Sequence, residues 1–131
     1  MQIKVKNLNV VTNEINFENH LLPTGNFNVN PQVSKRVGKV NNNQGRYLVE
    51  MMLEIKNKPE APFPMDLTIR ITGLFDCENV SDEEAIFAWL ENQGAQMIYP
   101  HLCSQVSTIT AIAMGMPLNI SALFPFEIQE N

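Results

Sequence analysis

Two histidines and two cysteines are the residues of this 131-residue chain best suited to metal or nucleophile chemistry. His101 and Cys103 stand two apart, with Cys77 and His20 elsewhere. A metal site needs three or four converging ligands, commonly spaced CxxC or HxxxH, and neither spacing occurs. On a helix, His101 and Cys103 would point about 200° apart, which also separates them as nucleophile and base. The expectation is no metal, with an unreactive thiol and a partly exposed imidazole in its place. The acidic run Asp76, Glu78, Asp82, Glu83 and Glu84 holds enough carboxylates for acid–base work. It falls at a strand end and a helix N-terminus, where acids serve capping and solubility. No glycine-rich phosphate loop, Ser-His-Asp order or dinucleotide fingerprint occurs. The sequence reads as non-enzymatic and without a cofactor.

Composition narrows the classes further. Nine basic residues against fourteen acidic give a formal charge of −5, so a phosphate-backbone partner is disfavoured. No stretch reaches the roughly 18 to 20 apolar residues that cross a bilayer, and Met1 to Lys6 alternates instead of forming a signal-peptide core. Two cysteines are too few for a secreted disulfide framework, which points to a cytoplasmic protein with idle thiols. Charged residues are scarce at 18%, and sixteen asparagines fill much of the gap. Seven methionines include the pairs Met51-Met52 and Met114/Met116. Such flexible, polarisable side chains suit a surface that accepts many apolar partners, although core filling is the simpler reading.

The elements that must position these residues change period midway. Tyr47, Val49, Met51, Leu53 and Ile55 fall on one face with Glu50, Glu54 and Lys56 on the other, and Met65, Leu67, Ile69 and Ile71 alternate with Asp66, Thr68, Arg70 and Thr72. Period two with one polar face marks antiparallel strands covered on one side. The proline-rich run 58–64 should be their hairpin loop. Upstream, Ile3 and Val5 alternate in one phase and Leu8 and Val10 in another, so a bulge near Asn7 is expected. Ile15 and Phe17 extend or follow this strand, and 29–40 is a weaker strand.

Past residue 80 the pattern turns helical. Ser81 and Glu84 have capping-box spacing; Ile86, Trp89 and Leu90 make an apolar stripe; Gly94 reads as a stop. A longer helix follows, with Leu102, Val106, Ile109 and Ala113 along one face, Pro100 opening or kinking it, and Gly115 and Pro117 ending it. Its opposite face, Ser104, Thr108 and Ala111, is small and hardly charged. A helix of this kind is buried on more than one side, and a second copy of the chain is the simplest cover. The fold class expected is α+β in a single domain, 1–131. It comprises a four-stranded antiparallel sheet (1–76), a crossover with a short helix (77–94), a long helix packed on one sheet face (95–116) and a short tail (117–131).

Several runs, in order, resemble the SecB family of export chaperones. Glu14-Ile15-Asn16-Phe17-Glu18 is similar to the family's acid-Ile-Ser-Phe-Glu segment, and Asn30-Pro31-Gln32-Val33 to the start of its second strand. Tyr47 to Ile55 resembles the hairpin strand, and Gly73-Leu74-Phe75 the Gly-Ile-Phe that closes the fourth. Ile98-Tyr99-Pro100-His101-Leu102-Cys103 resembles the family's Leu-Phe-Pro-Tyr-Ala-Arg-Glu run. At similar spacing, Gly115-Met116-Pro117 and Leu118-Asn119-Ile120 resemble its Gly-x-Pro and Leu-Asn-Leu.

The resemblance implies dimers with an eight-stranded sheet, paired through their helices into tetramers, and ATP-independent holding of non-native polypeptides. Carried over by position, Val33, Val37, Met51 or Met52, Phe75, Phe87, Trp89 and Leu90 would line the client groove. Glu14 and Glu18 would meet the translocase motor SecA, and Leu102, Val106, Ile109 and Ala113 would face another subunit. The departures are specific. Lys35 replaces an apolar position of the second strand, Thr68 stands near where relatives can carry an acid, and the family's last helix and acidic tail have no counterpart. This leaves two alternatives: a dedicated chaperone of an antitoxin, or a SecB-fold scaffold or regulatory subunit without general client binding. A chaperone would expose an apolar groove around Trp89, whereas a scaffold would bury that residue.

Overall fold

Alternation of apolar and polar residues builds a sheet with one covered face. The computed structural model describes residues 3–21, 31–40, 45–78, 82–120 and 128–130. Four strands, β1 (Lys4–Asn19), β2 (Gln32–Lys39), β3 (Arg46–Ile55) and β4 (Met65–Glu78), pair antiparallel in the order β1-β4-β3-β2. Tyr47, Val49, Met51, Leu53 and Ile55 of β3 are buried, as are Met65, Leu67, Ile69 and Ile71 of β4. Each such side chain contributes about 1.5–3 kcal/mol when taken from water. β4 runs two residues beyond the expected sheet limit at 76.

β1 is one long strand that absorbs the expected phase slip. Its register against β4 shifts between Val5 and Asn7 and again between Thr12 and Glu14. At the second shift, the Asn13 side-chain oxygen accepts a 2.5 Å hydrogen bond from the Thr72 hydroxyl. Residues 56–64 connect β3 to β4, closed by a bridge between Lys58 and Ala61. A short fifth strand, β5 (Ile128–Glu130), lies parallel to β2, pairing Val33 with Ile128 and Lys35 with Glu130. It falls within what the sequence presents only as a tail.

Helical structure runs without a break from Glu83 to Met114. Helix α1 (Glu83–Trp89) is capped by Asp82, whose side chain accepts from the Glu84 N–H at 3.0 Å. The expected cap, Ser81, lies outside the described residues. Gly94 does not stop the helix. Its φ of −60° and ψ of −45° are helical, and a wider π-helical turn over Leu90–Gly94 passes directly into α2 (Ala95–Met114). Gly94 is glycine for contact: a Cβ there would meet Leu90 at 3.3 Å, Val49 at 3.4 Å and Phe75 at 3.5 Å. The wide turn precedes Pro100, which sits inside α2.

The end of α2 is held by polar groups in the core. Gly115 takes the left-handed conformation, φ 78°, that terminates helices. Buried Thr110 donates to the Val106 carbonyl at 2.7 Å and accepts from the Leu118 N–H at 2.8 Å. The Tyr99 hydroxyl donates to the Ile120 carbonyl at 2.7 Å, and burial raises the pKa of that phenol. The segment after the helix is thereby folded back along it.

Candidate functional site

Four aromatic rings join the helical segment to the sheet. Tyr47 and Phe75 are direct partners across β3 and β4. The ring of Phe87 meets Tyr47 edge-on at 6.0 Å, and that of Trp89 meets Phe75 edge-on at the same distance. Phe87 and Trp89 are two apart on α1, so they approach the pair from different directions. Both are half-buried, with part of each ring against the core and part at the surface. Edge-to-face pairs add about 0.5–1.5 kcal/mol beyond the area they bury.

Two lysines of β2 tie the same segment down. Lys35 donates from its ammonium to the Glu91 carbonyl in the π-helical turn at 2.5 Å, and Lys39 pairs with Glu83 at 3.3 Å. Lys35 shares the covered side of the sheet, because its partner on β3 is buried Met51. The departure from an apolar residue at this position has a structural use as a strut from strand to helix. Between Lys35 and Lys39 lies half-buried Val37. Val37, Phe87 and Trp89 are thus half-buried apolar side chains bordering the junction of β2 and the helical segment.

The remaining groove residues expected from the sequence fall elsewhere. Val33, Met51, Phe75 and Leu90 are buried in the chain's own core, where they support the junction from beneath. Met52 is half-buried on the opposite sheet face, paired with Ser34 and Arg70. Strand alternation makes it impossible for Met51 and Met52 to share a groove. Leu102 and Val106 are likewise buried against the sheet, with Ile109 and Ala113 half-buried at the margin of that face. The outward side of α2 carries Met97, Ser104, Thr108, Ala111 and Ile112, with Ile112 81% exposed. A period-3.6 stripe says which residues share a face, not whether the chain's own sheet or another subunit covers it.

Glu14 and Glu18 lie on the uncovered sheet face, each opposite a β4 residue, Arg70 and Asp66 respectively. Glu14 pairs with Arg70 at 3.4 Å; Arg70 also reaches Glu50 at 3.7 Å, and Glu50 meets Arg36 at 3.4 Å. This alternating row crosses all four antiparallel strands. Near Glu18, His20 Nε2 is 3.0 Å from Asp66 Oδ2, a convergence that requires the β1–β4 register and has no local spacing signal.

Both cysteines are free thiols. Burial pushes each up from the ordinary value, with Asp76 adding to the effect at Cys77. A cleft bordered by Gln32, Glu54, Ile55, Lys56, Lys58, Ala61 and Phe63 opens at the hairpin end of the sheet, away from the aromatic junction. Among the described residues, no helix is long and apolar enough to cross a membrane.

No family model and no curated protein matches the sequence. Among solved structures, the chain is similar to a SecB-like chaperone of Mycobacterium tuberculosis, in complex with a ChAD peptide from the HigA1 antitoxin. That alignment has TM-score 0.71 and 15% identity, over 91% of this chain and 88% of the other. A protein of unknown function from Streptococcus agalactiae aligns at TM-score 0.47 and 11% identity, over 92% of this chain and 98% of its own. The antiparallel β1-β4-β3-β2 sheet with its long helical segment is a SecB-like fold.

Proposed function

We propose that the chain is an ATP-independent, non-enzymatic chaperone. It would hold non-native polypeptide segments along the junction of β2 with the α1 segment. The observation that carries this reading is the partial exposure of Phe87, Trp89 and Val37 over a floor of buried Val33, Met51 and Phe75. Apolar contact of this kind is non-directional and tolerates many sequences. Several client side chains at about 1.5–3 kcal/mol each would offset the ordering cost of a flexible segment. A scaffold would bury Trp89 completely, so its partial exposure favours the chaperone. The proposal includes a cytoplasmic location and a homo-oligomer. Exposed Met97, Ile112 and Met116 on and after α2 and Ile15 on β1 favour a second copy as cover.

A narrower reading has its own support: the M. tuberculosis SecB-like chaperone is in complex with an antitoxin peptide. On that reading this chain serves one dedicated antitoxin and needs no motor. Docking to SecA through Glu14 is less favoured, because Arg70 already occupies that carboxylate.

The deciding experiment dilutes a chemically unfolded, tryptophan-free model protein into buffer with a stoichiometric amount of this chain. Refolding and Trp89 emission are followed together. Arrested refolding with shifted emission supports general holding at the junction. Normal refolding of several clients, with retained binding of an antitoxin's disordered segment, supports the dedicated chaperone. Absence of both defeats the proposal.

A further inference from the structure

We propose that Glu18, His20 and Asp66 form a three-ligand site for a divalent transition cation of the Zn²⁺ class at the open end of the β1–β4 ladder. One ligand atom from each residue lies within 4.8 Å of the others. The site is assembled by strand register. Glu18 and Asp66 are direct partners across the ladder, and His20 follows Glu18 by two residues, which returns it to the same face.

Two like charges directly opposite on a sheet are unfavourable, so this pair needs a positive group. Protonated His20 is one candidate, since its Nε2 stands at ion-pair distance, 3.0 Å, from Asp66 Oδ2. A bound cation is the other: the same Nε2 is buried and makes no well-aligned hydrogen bond. Two ligands of one metal also have this relationship, because their lone pairs converge on a third point and not on each other. Ligand arms of about 2.0–2.1 Å at tetrahedral to octahedral angles put N and O roughly 2.9–3.4 Å apart.

The surroundings hold two of the three ligands in place. The His20 N–H donates to the Pro64 carbonyl at 2.8 Å, fixing the backbone where β1 ends. Asp66 Oδ1 accepts from the Asn57 N–H at 2.7 Å, which leaves Oδ2 facing the imidazole. Asn57 Oδ1 in turn accepts from the Phe63 N–H at 2.9 Å. An outer partner that fixes a ligating carboxylate is a regular feature of metal sites. Exposed Glu18 is free to swing in as the third arm. One imidazole nitrogen and two carboxylates suit Zn²⁺ or a neighbour in its series better than Mg²⁺, which prefers oxygen alone. The bound cation would clip the end of β1 to β4 and to the hairpin loop that borders the cleft.

The test titrates metal-free protein with zinc chloride, reading heat and the shift in melting temperature. The expected result is one Zn²⁺ per chain in the micromolar range with a raised melting temperature. Affinity should be at least tenfold weaker in Glu18→Gln and His20→Gln, and unchanged in His101→Gln and in Cys77→Ala/Cys103→Ala. Glu18 is exposed, so Glu18→Gln retains the fold, and circular dichroism checks the others. The proposal is overturned by no heat and no melting shift at millimolar zinc. It is equally overturned by binding that survives Glu18→Gln and His20→Gln undiminished, or that disappears with the cysteines.

Discussion

Ile98 of α2 seats directly over Gly73 of β4: a Cβ on Gly73 would stand 2.6 Å from Ile98 Cγ2 and 3.1 Å from Phe75 Cε1. The helix can therefore lie on the sheet only where the strand has no side chain. Gly73→Ala is expected to cost about 1–3 kcal/mol, the usual range for overpacking a core. Gly38→Ala is the contrast, because its Cβ would meet Leu48 at an ordinary 3.6 Å. Losing a glycine from the unfolded chain should there stabilise by about 0.4–1 kcal/mol. Urea unfolding of both variants checks the contrast, and adding Ile98→Ala to Gly73→Ala should recover part of the loss. A Gly73→Ala protein as stable as the parent would remove Gly73 from the docking argument.

Arg70 stands between Glu14 and Glu50 on the uncovered face and joins two ion pairs. Exposed pairs are worth about 0.2–1 kcal/mol each, so losing both in Arg70→Met should lower stability by about 0.4–2 kcal/mol. The loss should shrink in high salt. Arg70→Glu, which puts a third carboxylate in the row, should cost more and cost most at low salt. Unfolding measured at two ionic strengths separates this from a packing defect, which salt would leave unchanged.

The alternating strands, the slip near Asn7 and the helix end at Gly115 are legible because each is a local pattern with one physical meaning. Period two identifies the buried faces of β3 and β4, and only glycine readily ends a helix in the left-handed conformation. Gly94 misleads for a specific reason. A glycine between apolar helical stripes has two uses, as a stop or as a close contact, and only the packing around it, with Leu90 3.3 Å from where a Cβ would stand, decides between them. Leu102 and Val106 mislead similarly, because a stripe does not name its cover. The meeting of His20 with Asp66 is not legible at all, since 46 positions separate them and the β1–β4 register brings them together.

Phe87 and Trp89 are half-buried against the core, so on the proposed function their loss should affect both stability and binding. The double variant Phe87→Ala/Trp89→Ala should weaken client holding about tenfold or more, since each truncation forfeits over 1 kcal/mol of apolar contact. It should remain folded on the buried floor of Tyr47, Phe75, Ile86 and Leu90. Refolding-arrest assays report the first effect, and sedimentation and circular dichroism report the second. If the oligomer dissolves while client holding persists, these rings belong to a subunit contact and not to a groove.

Cys77 and Cys103 give the fold a chemical readout that needs no ligand. Burial raises both thiol pKa values, so at a given pH each holds less reactive thiolate than an unfolded cysteine. At pH 8, alkylation of the folded protein should be slower at both sites than in urea. Half-buried Cys103 should react before buried Cys77. Raising the pH should accelerate both beyond the point where an ordinary thiol has levelled off, because the folded-state titration lies higher. Mass-resolved labelling distinguishes the two sites. Gly73→Ala supplies the internal control: if it loosens α2 from the sheet, Cys103 labelling should quicken. A native Cys103 that already labels at the unfolded rate would mean that α2 is not held against the sheet.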